Sequence, residues 1–201
     1  MNSRGLLIIT LFFAFILGSM GFAETDEWVN IYFGKLDSSA IEANINSPVD
    51  IDVYIQTSAS TYVADAHICL GVDNRYIDSL LSAAEGEILF PFNEWDIKLF
   101  LPPQGSPPNP EGWSSQSFMG FARMAPPYKS PWLHLIEPTL VLKMKARTVN
   151  DPSLVGQTID CLGPGQNRAQ GPSNAGDTTG MKGYPVNSQF SPIYFSDSEG
   201  K

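Results

Sequence analysis

The chain has 201 residues, of which 21 are acidic and 12 are basic, so it carries a net charge of −9 at neutral pH and has an isoelectric point near 4.5. Nucleic acids and anionic membrane surfaces bind basic patches, so this composition argues against both as partners. The length is sufficient for one domain with a sizeable hydrophobic core.

The first 23 residues have the pattern of a secretory signal peptide. Arg4 gives a positive start, Leu6–Leu17 is an apolar run without a charge, and small residues follow at Gly21 and Ala23. The run is shorter than the roughly 20 residues that span a bilayer. We therefore predict that residues 1–23 are cleaved and that the mature protein is secreted, to an extracellular or periplasmic location, without membrane attachment. A retained N-terminal anchor is the alternative.

Two strand patterns stand back to back between residues 47 and 73. Val49–Ile55 and Ala64–Val72 each place an aliphatic or small apolar side chain at every second position. This alternation predicts two strands with one face in a core and the other toward water. The Ser- and Thr-rich link at 57–61 fits a hairpin or a crossing between two sheets.

Other segments of the chain continue this pattern, with one exception. Helical spacing of the apolar residues in 73–84 predicts a short helical excursion. Trp95 shares the phase of Ile97 and Leu99, which predicts that Trp95 belongs to the core. The remaining strand patterns lie at 28–33, 41–45, 88–92, 95–101, 113–124, 139–149, 158–162 and 186–195.

Three segments without strand patterns separate these elements. Residues 102–112 and the cluster around 126–131 are rich in proline, which is not found inside a sheet. Residues 163–183 are mostly Gly, Asn, Gln, Ser and Thr and predict a long polar loop. We therefore predict one all-β domain over 24–201, an antiparallel β-sandwich of eight to nine strands.

The two cysteines, Cys69 and Cys161, both fall in strand patterns. In an exported chain such a pair predicts a disulfide, which would close a loop of about 90 residues and stabilise the fold by about 4–5 kcal/mol in the chain-entropy model. Two buried free thiols are the alternative.

Residue patterns typical of catalysis or metal binding are absent from the sequence. There is no G-x-S-x-G motif, and the only histidines, His67 and His134, have no H-E-x-x-H or paired-cysteine context. Glu94 and Asp96 share a strand face, as residues two apart do in any sheet. We therefore predict a protein that is not an enzyme and has no metal or cofactor.

Aromatic residues near the proline-rich segments are the candidate ligand-binding residues. They are Trp113, Tyr128 and Trp132. Exposed rings in a row would suit stacking on sugar rings, whereas an aromatic patch would also suit a protein partner.

The order of segments resembles the cohesin family. The resemblance rests on VNIYFG, SPVDIDVYIQT and VADAHICLGVDNRYIDSLL in the first half, and on TLVLKMKARTV followed by NDPSLVGQTIDCL later. It extends over most of 28–195 and implies a secreted, non-catalytic β-sandwich that binds another protein through a sheet face. A carbohydrate-binding module of related architecture is the alternative function, with an extracellular polysaccharide as the partner.

Overall fold

The computed structural model describes residues 26–81, 86–101, 110–122, 132–172 and 181–197. The helical content of these ranges is two three-residue 3₁₀ turns, Phe92–Glu94 and Pro152–Leu154. The strands are β1 (Val29–Phe33), β2 (Ile41–Asn44), β3 (Pro48–Thr57), β4 (Asp65–Asp73), β5 (Ile77–Leu80), β6 (Glu87–Ile88), β7 (Ile97–Phe100), β8 (Trp113–Phe121), β9 (Thr139–Thr148), β10 (Thr158–Ile159), β11 (Leu162–Pro164), β12 (Arg168–Pro172), β13 (Met181–Tyr184), β14 (Val186–Phe190) and β15 (Ile193–Ser196).

Two large sheets form the sandwich, and a small sheet lies beside them. The first sheet has the order β14-β1-β3-β9-β5, with β6 also paired to β9. The second sheet has the order β13-β12-β4-β8-β7, with β11 also paired to β4. The small sheet is β10-β15-β2. The pairs are antiparallel except β1 with β14 and β2 with β15, which are parallel. The predicted all-β sandwich is therefore confirmed.

The core lies between the facing sides of the two large sheets, as the alternation in the sequence predicts. Ile51 and Val53 of β3 and Ile68 and Leu70 of β4 are each fully buried in one hydrophobic cluster. Burying a side chain of this size stabilises a fold by about 1.5–3 kcal/mol, so the two central strands contribute much of the driving force.

The helical excursion predicted for residues 73–84 is wrong in the part that the structure describes. Ile77–Leu80 is strand β5, which pairs with β9. The pairing shifts between Ile77 and Ser79, so Asp78 is an extra residue in a β-bulge. The bulge turns both Ile77 and Leu80 toward the core although they are three positions apart. Buried apolar residues three positions apart are also typical of a helix, which explains the error.

The long polar loop predicted for 163–183 is also partly wrong, because β11, β12 and the start of β13 lie within it. Small residues are required there. A Cβ atom on Gly171 would lie 1.7 Å from the carbonyl oxygen of Tyr62, so glycine alone fits at this point of the strand. Where β11 gives way to β12, the Asn167 side chain accepts a hydrogen bond from the Cys69 backbone nitrogen at 2.7 Å and continues the pairing with β4.

The predicted signal peptide, residues 1–23, lies outside the described residues. Among the residues that are described, no helical segment has the length and apolarity needed to pass through a membrane.

Candidate functional site

The outer face of the second sheet carries an apolar patch on β7 and β8. Because Phe100 and Phe118 face the core, the alternate positions on these two strands face outward. Register pairs Leu99 with Met119 and Ile97 with Phe121, so the four outward residues adjoin one another. We call Ile97, Leu99, Met119 and Phe121 the apolar patch.

Three of these four side chains are well exposed. The exposed fractions are 58% for Ile97, 53% for Leu99 and 37% for Met119, while Phe121 is half-buried. Single exposed apolar residues are common on protein surfaces, but neighbouring ones on two paired strands form a continuous surface that water solvates poorly. The patch is therefore the described surface best suited to an apolar partner.

A polar row borders the patch on the next two strands. Met119 of β8 is opposite His67 of β4, and His67 is in turn opposite Arg168 of β12. Arg168 Nη2 lies 3.4 Å from Asp65 Oδ2, which forms an ion pair next to Phe121. The face thus passes from aliphatic side chains at the β7 edge to an ion pair at β12.

His67 lies at the boundary between the patch and the ion pair. Its Nε2 atom is buried and has no hydrogen-bond partner among the described residues. Burial lowers the pKa of His67, the positive charge of Arg168 lowers it further, and Asp65 acts in the opposite direction. The imidazole is therefore neutral at pH 7, and covering it by a partner would not bury a charge.

The two predicted ligand-binding tryptophans, Trp113 and Trp132, are not members of this patch. Trp113 is half-buried, and its ring lies against Gly71 and Gly163, where a Cβ on Gly163 would be 2.7 Å from the indole. The glycines of two neighbouring strands thus make room for the ring, which accounts for the position of Trp113 without a ligand.

Trp132 and Trp113 lie at opposite ends of β4. Trp132 is half-buried against the core and adjoins Leu133, which bridges to Val63 before β4 begins. Trp113 is opposite Asp73, where β4 ends. Ten residues separate Val63 from Asp73, which at 3.3 Å per residue is roughly 30 Å. These two rings therefore do not form one row, and Tyr128 lies outside the described residues.

The disulfide predicted between Cys69 and Cys161 is not formed in the structure. Both cysteines are buried free thiols. Cys161 belongs to the hydrophobic core cluster, whereas Cys69 faces away from it, with its sulfur against the backbone of Gly165. Burial raises the pKa of Cys161 to about 12, so this thiol is protonated and unreactive at neutral pH.

Metal binding and acid–base chemistry find little support in the described residues. No group of three or more His, Cys, Asp or Glu side chains in those ranges is arranged to hold a metal ion. Asp73, the buried carboxylate at the end of β4, is bound by Arg75, whose Nη2 lies 2.6 Å from Asp73 Oδ2. This contact makes the carboxylate part of a turn.

Comparison with known proteins supports the fold assignment. No protein-family model matches the sequence, and a comparison with curated proteins finds no match. Among solved structures, the sixth cohesin of scaffoldin B from Acetivibrio cellulolyticus, in complex with a dockerin, is similar with a TM-score of 0.51 and 12% identity over 85% of this chain and 99% of that one.

A cohesin in a type I cohesin–dockerin complex from Clostridium thermocellum is similar with a TM-score of 0.50 and 13% identity, over 86% of this chain and 98% of that one. The two sheets, their order and these matches define the chain as a β-sandwich with the cohesin fold. The resemblance predicted from the sequence is thereby confirmed at the level of the fold.

Proposed function

We propose that this protein is an exported, non-catalytic module that binds another protein through the apolar patch on the outer face of its second sheet. The observation that carries the proposal is the exposure of Ile97, Leu99 and Met119 as neighbours on two paired strands. Regular strands fix the backbone from which these side chains project, so little backbone entropy is lost when a partner covers them.

The chemistry of the patch favours a protein over a sugar. The exposed side chains, Ile97, Leu99 and Met119, offer no hydrogen bonds to hydroxyl groups and no aromatic ring for stacking, but they pack well against apolar side chains. The one ring of the patch, that of Phe121, is half-buried against the core. The neighbouring Asp65–Arg168 ion pair supplies polar groups at the rim, where charges contribute to the choice of partner.

The class of partner follows from the similar structures. Both of the cohesins described above were solved in complex with dockerins. By analogy, the partner here is a dockerin-class module that presents an apolar face to Leu99 and Met119. Cleavage of residues 1–23 would place this interaction outside the cytoplasm.

Carbohydrate binding by Trp113, Tyr128 and Trp132 is the alternative. The separation of Trp113 and Trp132 along β4 weakens it, because a sugar chain bound by both would have to follow the whole strand. Substituting either tryptophan by alanine should therefore leave retention on polysaccharide unchanged.

The test is titration calorimetry of residues 24–201 against a panel of purified dockerins, with Leu99→Asp as the variant. An aspartate would be buried without a partner in the interface, so we expect at least about a hundredfold weaker binding. Leu36→Asp is the matched control, because Leu36 is similarly exposed, at 44%, and lies in the turn after β1. Failure of every dockerin to bind, or equal affinity of the wild type and Leu99→Asp, would contradict the proposal.

A further inference from the structure

A cavity opens at one end of the first sheet, away from the apolar patch. It has a volume of about 300 Å³ and lies between the segment before β1, the connection from β3 to β4, and the segment before β9. Trp28, Gln56, Ser60 and Ile136 contribute to its wall, together with one carboxylate, Asp26. Concave sites that combine a ring, aliphatic surface and a few polar groups are typical of small-ligand binding.

The cavity adjoins a flat surface on the outer side of the first sheet, and strand alternation determines which side chains form that surface. Val29, Ile31 and Phe33 of β1 are each 1% exposed and face the core, so Asn30 and Tyr32 face outward with the half-buried Trp28. The register between β1 and β3 puts Asn30 opposite Gln56 and Tyr32 opposite Tyr54. Two tyrosine rings thus lie beside the cavity.

The polar groups of this surface are held in place by one another. Tyr32 Oη donates to Gln56 Oε1 at 2.9 Å, and Gln56 Nε2 donates to the Ile136 carbonyl at 2.9 Å. Asn187 Nδ2 donates to Asn30 Oδ1 at 3.3 Å. Each side-chain amide nitrogen carries two hydrogens, so Gln56 keeps a second donor available after its bond to Ile136. Because these donors are already held in place, less side-chain entropy is lost when a ligand binds to them.

The charge distribution indicates a ligand without charge. Asp26 is the single charged residue among those described around the cavity. The charges farther along β3 and β9 on the outer face of the first sheet include Asp52, which contacts Tyr54, and the pair of Lys145 with Asp50 at 3.6 Å. A single carboxylate accepts hydrogen bonds from hydroxyl groups and does not require a cationic ligand.

We propose that this cavity is a binding site for a neutral oligosaccharide. One face of a sugar ring packs on Trp28, and its hydroxyl groups bond to Gln56, Asp26 and Ser60. The neighbouring Tyr32 and Tyr54 extend the surface for further sugar units. The site lies on the opposite sheet from the apolar patch, so the module would hold a protein and a glycan at the same time.

The experiment is affinity electrophoresis of residues 24–201 in gels containing neutral polysaccharides (a β-glucan, a xylan, a mannan and a soluble cellulose derivative). Titration calorimetry with matching oligosaccharides gives the affinities. We expect retardation by at least one of these glycans, with about tenfold weaker binding in Trp28→Ala because the packing surface is lost. Gln56→Ala should weaken binding by a smaller factor. It keeps every aromatic ring and so serves as the second variant if Trp28→Ala fails to fold.

Two control variants separate this site from other surfaces. Tyr194→Ala removes an exposed aromatic ring, 37% exposed, from the small sheet and should leave retardation unchanged. Leu99→Asp should abolish protein binding and leave glycan binding intact, so failure of either proposal is visible separately.

The proposal would be overturned if no neutral glycan in the panel retarded the wild type, or if Trp28→Ala and Gln56→Ala were both retarded as strongly as the wild type. Binding of a cationic glycan alone, lost in Asp26→Asn, would also overturn it, because the site would then recognise charge.

Discussion

Asp73 shows how a single side chain fixes the end of a strand. Its carboxylate is 3% exposed and accepts bonds from the Arg75 backbone nitrogen at 3.0 Å and from the Arg75 guanidinium. The hydrogen bonds from Arg75 lower the pKa of Asp73, although burial opposes them. The chain passes through this turn from β4 of the second sheet to β5 of the first sheet. The Asp73–Arg75 pair therefore lies where the two sheets are connected.

The lowered pKa gives the stability of the protein a predictable pH dependence. A carboxyl group whose pKa is lower in the folded state stabilises the fold above its unfolded pKa, and this contribution is lost as the pH falls through the folded value. We expect Asp73→Asn to lower the free energy of unfolding at pH 7 by about 1–2 kcal/mol. The difference from the wild type should shrink as the pH falls below the ordinary value of 3.8.

Urea unfolding at several pH values, followed by tryptophan fluorescence, measures this difference. Asp78→Asn is the control, since Asp78 is exposed on β5 and should change stability little at any pH. A difference between the wild type and Asp73→Asn that stayed constant down to pH 2 would contradict the assignment.

At the scale of the elements, the bulge in β5 makes a strand resemble a helix. Asp78 has no partner on β9, whereas Ile77 is opposite Thr148 and Ser79 is opposite Arg147. Without the extra residue, Ile77 and Leu80 would stand two positions apart and would follow the ordinary alternation of a strand.

Deletion of Asp78 tests this description. In a strand, the deletion removes the bulge and keeps Ile77 and Leu80 on the core side, so we expect a folded protein destabilised by about 1 kcal/mol. In a helix, the same deletion would rotate Leu80 by about 100° and remove it from the core. The measurement is the urea midpoint together with the far-ultraviolet circular dichroism spectrum.

Deletion of Ser117 provides the matched control. Ser117 lies in a stretch of β8 that pairs regularly with β4, so its loss would move Phe118 and its neighbours to the wrong face. We expect that variant to lose cooperative unfolding. Equal damage from the two deletions would show that Asp78 is not an extra residue.

The apolar patch marks the limit of what alternation can predict. Trp95 is in the core, as its pattern predicts, but Ile97 and Leu99, which share its phase, are exposed. The 3₁₀ turn at Phe92–Glu94 ends at Trp95. The side to which Trp95 points therefore does not determine which residues of β7 face the core. Phe100 has the opposite phase and is buried, which requires Ile97 and Leu99 to face outward. It was the one residue in the sequence that indicated this orientation of β7.

At the scale of the whole molecule, the C-terminal strands close the fold. β14 pairs with β1 in the first sheet, and β15 pairs with β2 in the small sheet. Phe195 of β15 is fully buried, whereas its neighbour Tyr194 is 37% exposed. Two adjacent residues of one strand thus contribute very differently to stability.

We expect Phe195→Ala to lower the free energy of unfolding by about 3–5 kcal/mol, because it leaves a large cavity in the core. Tyr194→Ala should lower it by less than about 1 kcal/mol. Thermal unfolding of the two variants beside the wild type measures the contrast. Similar melting temperatures for both variants would mean that β15 does not close the core.

The sandwich itself could be predicted from the sequence because alternation is strong in β3, β4 and β9, where one face is buried along the whole strand. The segments β11 to β13 were not predicted because each contains a glycine and two contain a proline, residues that are uncommon in strands. Their positions also depend on contacts such as that of Gly171 with Tyr62. The candidate site depends on which strands are neighbours across a sheet, and that cannot be read from local periodicity.

The parallel pairing of β1 with β14 has a consequence for how the chain is made. Val29 cannot meet Val186 until more than 150 later residues have left the ribosome, so the first sheet stays incomplete until then. Contacts of such long range form slowly because distant parts of the chain must first find each other. Until β14 is made, the edge of β1 that it covers therefore remains open to pairing with other chains.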